Sequence, residues 1–129
     1  MEKPPSYHWN SKHILVVEDD ESSAFILGEM LKNTGAIIEY TTGGQEAVDF
    51  IKNHPETDLI LMDIHLPGMD GFTATRIIKA MAKHVVVIAQ TAYAHSLDYQ
   101  DAARAGCDAF LTKPLNPNLL LEKINSFLV

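Results

Sequence analysis

Residues 58–71 read Asp58-Leu59-Ile60-Leu61-Met62-Asp63-Ile64-His65-Leu66-Pro67-Gly68-Met69-Asp70-Gly71. Four apolar side chains follow one another from Leu59 to Met62 with no polar residue between them, so both faces of this stretch must be buried. A strand buried on both faces belongs to a parallel sheet covered by helices on each side. The run predicts a strand over Asp58–Met62 with Asp63 directly behind it, and Pro67-Gly68 and Asp70-Gly71 read as a loop. Four more aliphatic or β-branched runs flank this one at regular intervals: His13–Val17, Ala36–Tyr40, Val85–Ala89 and Cys107–Leu111. Between them the apolar residues take helical spacing, as in Ala74, Ile77, Ile78 and Met81, and again in Leu120, Ile124, Phe127 and Leu128. Asn33-Thr34-Gly35 and Gly106 punctuate helix ends, Pro55 follows another, and Asn116-Pro117 is an N-cap with proline at the first helical position. Strict alternation of strand and helix implies five βα units in an α/β, doubly wound architecture.

Composition sets the outer limits. With 129 residues, one core is expected, and 47% apolar with 21% charged residues is the balance of a compact globular domain. The formal charge of −7 opposes binding to nucleic acid or anionic lipid and favours divalent cations. A lone cysteine, Cys107, in an apolar stretch fits a reducing compartment, so a cytoplasmic location is expected. No run approaches the length of a membrane span, and residues 1–11 lack the apolar region of a signal peptide, so no membrane insertion is expected. Residues 1–11 read as a polar, proline-containing linker or tail in which Tyr7, His8 and Trp9 are the only groups able to dock on something, and residues 12–129 as the domain.

In a doubly wound sheet, ligands bind beyond the carboxyl ends of the strands. Glu18, Asp19 and Asp20 follow strand 1, Asp63 follows strand 3, Gln90 and Thr91 follow strand 4, and Thr112-Lys113-Pro114 follows strand 5. A strand order of 2-1-3-4-5 would bring these groups into one crevice. Carboxylates gathered so closely raise one another's pKa or require a cation, and an all-oxygen donor set suits Mg²⁺ better than Zn²⁺. A Mg²⁺ site with one lysine and one hydroxyl suits phosphoryl transfer, with Lys113 and Thr91 contacting the phosphoryl oxygens. Asp63, on the central strand, is best placed as the nucleophile.

Taken together, Ile14 to Asp20, Asp58 to Gly71, Thr91-Ala92 and Lys113-Pro114 make the chain resemble a response-regulator receiver domain of two-component signalling, from about Lys12 to Leu128. The resemblance implies a flavodoxin-like (βα)5 fold and a Mg²⁺-dependent phosphoacceptor, Asp63, charged by a histidine kinase or histidine phosphotransfer protein. It also implies that Asp19 binds the metal directly, Glu18 through water and His65 through its backbone carbonyl. Lys113 would hold the phosphoryl group, Thr91 and Phe110 would form a switch pair, His65 and Tyr93 would tune the phosphoryl lifetime, and Lys113-Pro114 would be cis. A homodimer through helix 4 (about Ser96 to Ala105), strand 5 and helix 5 is a further implied assembly. Such a domain is a signalling module, catalysing only its own phosphorylation and dephosphorylation. With Val129 directly after helix 5, it is expected to be free-standing or to be the C-terminal receiver of a hybrid sensor histidine kinase, as the Tyr7-His8-Trp9 connector suggests. Phe110 stands where tyrosine is common, so its ring makes no hydroxyl hydrogen bond.

Other readings are weaker. Glu18-Asp19-Asp20 alone could be a helix N-terminal acid cluster, and Asp20 is expected to cap. Gly43-Gly44 lacks the lysine-serine or lysine-threonine of a phosphate loop. Asp63-Ile64-His65 lacks the second acid that haloacid-dehalogenase phosphatases use. The Asp-x-His-x-x-Gly pattern from Asp63 to Gly68 resembles a cobalamin signature but follows strand 3 where that family has it after strand 1. Cys107 reads as a packing residue.

Overall fold

The computed structural model describes residues 6–92 and 96–129, with the side chains of residues 96 and 97 outside that description. Five parallel strands, β1 (His13–Val17), β2 (Ile37–Thr41), β3 (Leu59–Asp63), β4 (Val86–Thr91) and β5 (Ala109–Thr112), form one sheet in the order β2-β1-β3-β4-β5. They alternate with α1 (Glu21–Leu31), α2 (Gly44–Asn53), α3 (Gly71–Met81), α4 (Ser96–Ala105) and α5 (Pro117–Leu128). This is the doubly wound (βα)5 architecture that the sequence implies, with α1 against α5 on one side and α2, α3 and α4 in succession on the other.

Successive side chains of a strand point to opposite faces, and the core divides accordingly. Leu15 and Val17 of β1 join Ile60 and Met62 of β3 under α2 and α3, where Val48, Ile51, Ala74 and Ile78 meet them. Ile14 and Val16 join Leu59 and Leu61 on the other face, against Leu27, Leu31, Leu120 and Ile124.

Four strands begin or end beyond the apolar runs that announce them. β2 starts at Ile37 and reaches Thr41, β3 includes Asp63, β4 includes Gln90 and Thr91, and β5 runs from Ala109 to Thr112 with Cys107 ahead of it. The backbone ladder continues through the pairs Val17↔Thr41, Asp63↔Gln90 and Thr91↔Thr112. Ladder bonds join main-chain groups, so they extend under polar side chains that end the hydrophobic pattern.

Two corrections concern packing. In α3 the inward stripe is Gly71, Ala74, Thr75 and Ile78, while Ile77 and Met81 of the expected stripe are exposed. Thr75 can face inward because its hydroxyl donates to the Gly71 carbonyl at 2.7 Å, which removes the cost of burying it. Asp70, read as loop, caps this helix by accepting from the Thr73 N–H at 2.9 Å. Residues 1–11, read as linker or tail, contribute Trp9 to the core: it is 2% exposed among Leu31, Leu120 and Ile124. Its indole N–H donates to Asn125 Oδ1 at 2.9 Å and its backbone N–H to the Thr34 carbonyl at 2.7 Å. Trp9 supplies the apolar volume that closes the gap between the ends of α1 and α5, and its one polar atom is satisfied there.

Among the described residues no helix is long and apolar enough to cross a membrane.

Candidate functional site

Each acidic site residue is delivered by a strand end. β1 ends at Val17, so Glu18 falls at the lip of the sheet and is buried, while Asp19 is exposed. Asp20 turns the chain into α1, accepting from the Ser23 N–H at 2.9 Å, and this bond together with that from the Ser23 hydroxyl holds its carboxyl below the usual carboxylate range. Asp63 closes β3 and is 5% exposed. Its Oδ1 accepts the His65 N–H at 2.9 Å, an Asx-type turn that aims the carboxylate back over the sheet. The carboxylate oxygens that Glu18, Asp19 and Asp63 offer lie within 4.8 Å of one another.

Lys113 enters from the end of β5, with its backbone N–H on the Thr91 carbonyl at 2.7 Å and a cis bond to Pro114. Its ammonium stands 3.3 Å from Glu18 Oε2 and 3.8 Å from Asp63 Oδ2. One ammonium is too little for this cluster. The Glu18 carboxyl is pushed up to about 7, first by burial, then by a hydrogen bond with Asp63 and by its charge, with Lys113 pulling the other way. Protonation of Glu18 is one way to relieve the repulsion; a hard divalent cation on the three acids is the other. The donors are all oxygen and one of them, Asp19, is exposed, so the residues present fit Mg²⁺ with several retained waters.

Thr91 closes β4 and is fully buried. Phe110 is half-buried opposite Ala89, and its ring meets Tyr99 of α4 with centroids 4.5 Å apart and planes tilted by 50°. His65 is exposed beside Asp63. Tyr93 lies outside the described residues. The structure thus gathers Glu18, Asp19, Asp63 and Lys113 around one point, with Thr91 at the edge.

Two glycines that sequence reading left as loop or turn residues shape the site's floor. A Cβ on Gly71 would strike the Asp63 carbonyl oxygen and come to 2.7 Å from Ile64 Cα, so only glycine lets α3 start this close to the phosphoacceptor candidate's backbone. Likewise a Cβ on Gly44 would sit 2.5 Å from the Met69 carbonyl oxygen. Neither has positive φ, so the requirement is one of space and not of conformation, set for Gly71 by the backbone of Asp63 and Ile64 and for Gly44 by that of Met69. Gln90, beside Thr91, is a further surprise: it is 2% exposed, and its Nε2 finds no hydrogen-bond partner among the described residues.

Comparison with known proteins agrees with this geometry. The family model of the response regulator receiver domain matches residues 14–125. The polar-differentiation response regulator DivK of Brucella ovis is 34% identical over 120 residues, covering 92% of this chain and 97% of its own. Among solved structures, the receiver domain of sensor histidine kinase PA1611 from Pseudomonas aeruginosa superposes with a TM-score of 0.83 at 32% identity, covering 91% of this chain and 97% of its own. That crystal structure has a magnesium ion coordinated in its active-site cleft. CheY of Borrelia burgdorferi, in complex with CheX, BeF3 and magnesium, gives 0.85 at 31% identity, covering 92% and 90% of the two chains. The chain therefore belongs to the response regulator receiver domains, the signalling domains of two-component systems.

Proposed function

We propose that this receiver accepts a phosphoryl group on Asp63 from the phosphohistidine of a histidine kinase or histidine phosphotransfer protein. The observation that carries the reading is the buried Asp63 carboxylate at the end of the central strand, facing two further acids and Lys113. An Asp63 carboxylate oxygen attacks phosphorus, an acyl phosphate bond forms, and the phosphorus–nitrogen bond of the donor breaks, leaving its imidazole. Lys113 lies where it can neutralise the transferring oxygens, and the Thr91 hydroxyl supplies a hydrogen bond to one of them. Asp19 and Asp63 would hold Mg²⁺ directly, Glu18 through water and His65 through its carbonyl; bound there, the ion screens the charge of acids and phosphate. Hydrolysis returns the domain to its resting state, with His65 and Tyr93 setting the water's access.

The output is a change of surface, with no turnover of a separate substrate. Thr91 drawn toward the phosphoryl group vacates space that Phe110 can enter, which alters the face made by α4, β5 and α5. Protein partners, or a second copy of the domain, would read that face. Exposed Phe25 and Ile26 on α1 offer the phosphodonor an apolar landing beside the site. A cytoplasmic location accords with a phosphohistidine donor. The domain is read as no enzyme beyond its own phosphorylation and dephosphorylation.

Incubation with acetyl phosphate and Mg²⁺ tests this reading. One base-labile, acid-stable phosphoryl group is expected, detected as a single mass addition and lost in Asp63→Asn or in excess chelator. Equal labelling of the Asn variant would show that another residue is the acceptor.

A further inference from the structure

Toward the amino edge of the sheet, away from Asp63, lies a cavity that phosphoryl transfer does not use. Glu39 of β2 and Glu56 of the α2–β3 connection border it, its volume is about 90 Å³, and Ile37, Phe50, His54 and Thr57 contribute to its walls. Both glutamates are exposed, and neither makes an ion pair or a side-chain hydrogen bond among the described residues. The walls beside them are held in place. His54 stacks on Phe50 with ring centroids 4.0 Å apart and planes 12° from parallel, and its Nδ1 stands 3.0 Å from the Phe50 carbonyl oxygen. A carbonyl can only accept, so Nδ1 carries the proton and Nε2 of the neutral ring is an acceptor. Thr57 is 2% exposed and donates its hydroxyl to the His54 carbonyl at 2.9 Å, which pins the turn that carries Glu56. The cavity is thus bordered by two carboxylates and an imidazole beside an aromatic stack, and no lysine or arginine lines it among the described residues.

We propose that this cavity binds a guanidinium group, carried by an arginine side chain of a partner protein or by a free small molecule. Size sets the first limit: a cavity of roughly 150 Å³ holds benzene, so one of about 90 Å³ suits the few heavy atoms of a guanidinium better than a ring. Charge sets the second, because two unpaired carboxylates in a chain of net charge −7 attract a cation. Shape sets the third. A guanidinium is a planar fork of N–H donors that can reach acceptors on β2 and on the α2–β3 connection together, and its face stacks on aromatic rings, whereas an ammonium is a point charge. A metal ion is not served, since among the described residues three ligating groups converge only at Glu18, Asp19 and Asp63. Ile37, exposed on the edge strand, offers an aliphatic surface to the methylene stem of an arginine.

NMR titration of the full chain at about pH 8, where histidines are ordinarily neutral, uses N-acetylarginine methylamide, N-acetyllysine methylamide and methylguanidinium as probes. Capped arginine should give saturable shifts at the Ile37 methyls, the His54 ring and the Glu39 and Glu56 amides, with capped lysine weaker by about fivefold or more. Glu39→Gln and Glu56→Gln, both at exposed positions, should each weaken capped arginine by about fivefold or more, while Glu122→Gln, which removes the same charge from α5, should leave it unchanged. Methylguanidinium binding more weakly than capped arginine assigns the cavity to a partner's side chain; equal affinity assigns it to a free small molecule. A guanidinium site is ruled out by shifts that do not saturate, by capped lysine matching capped arginine, by either of the first two variants binding undiminished, or by Glu122→Gln weakening binding as much as they do.

Discussion

Two lysines, one at each edge of the sheet, show how the same ion pair serves different ends. At the amino edge, Lys79 of α3 donates to Asp108 Oδ2 at 2.7 Å and to the Val85 carbonyl at 2.6 Å, and the same Asp108 oxygen accepts the Val87 N–H at 2.8 Å. Every strong group there has a partner at close range, and the network ties α3 to the starts of β4 and β5. At the carboxyl edge, Lys113 is equally shielded, 24% exposed against 19% for Lys79, yet its acids lie at 3.3 and 3.8 Å and outnumber it. The first arrangement is complete, so it stabilises. The second is left short of positive charge, which costs stability and creates affinity for a cation and for a group that brings one into play.

The largest expected effect tests that cost directly. Glu18 has its carboxyl raised in the folded chain from 4.5 to about 7, so between those pH values the folded state binds more protons than the unfolded one. Stability from this group is therefore full below pH 4.5 and declines as pH rises toward 7, by on the order of 3 kcal/mol without divalent metal. Denaturant unfolding across this range should show the decline in the wild type and not in Glu18→Gln, and saturating Mg²⁺ should flatten it. Parallel pH profiles for the two proteins would mean that Glu18 is not the strained group.

Exchanging the two lysines for methionine sharpens the contrast. Lys79→Met leaves Asp108 and the Val85 carbonyl short of a donor and should cost about 1–2 kcal/mol. Lys113→Met at pH 6 should cost less than about 0.5 kcal/mol, because Glu18 can answer by holding its proton. Equal losses, read from thermal unfolding, would erase the distinction between the edges.

Trp9→Phe and Asn125→Ala form the smallest test, at the amino edge alone. Each should cost about 1 kcal/mol through the same hydrogen bond, and the double variant clearly less than their sum. Additive losses would mean that Trp9 holds α5 by packing and not through its indole N–H.

Much of the fold was legible because burial on both faces leaves a continuous apolar run that few other arrangements need. Leu59 to Met62 shows this most clearly, and the order 2-1-3-4-5 accords with it. Strand ends were less legible: Gln90 and Thr91 belong to β4 although the apolar pattern stops at Ala89, since main-chain pairing has no side-chain signature. The α3 stripe was misread at Ile77 and Met81 because a threonine whose hydroxyl bonds its own helix buries as readily as a hydrophobe. Trp9 looked like part of a tail because nothing nearby in sequence tells that α1 and α5 end beside it.

By itself the sequence determined which residue types stand at the strand ends, hence an acidic crevice with one lysine, since chain order and the right-handed crossover leave those ends on one edge. Only the tertiary structure decided how unequal the members are. Glu18 is buried and Asp19 exposed although they are neighbours, Gly71 is required by the Asp63 backbone, and the buried Gln90 Nε2 has no hydrogen-bond partner among the described residues. Burial and close approach are set by how the chain folds back on itself, and they fix the electrostatic cost of each group; local pattern carries no record of them.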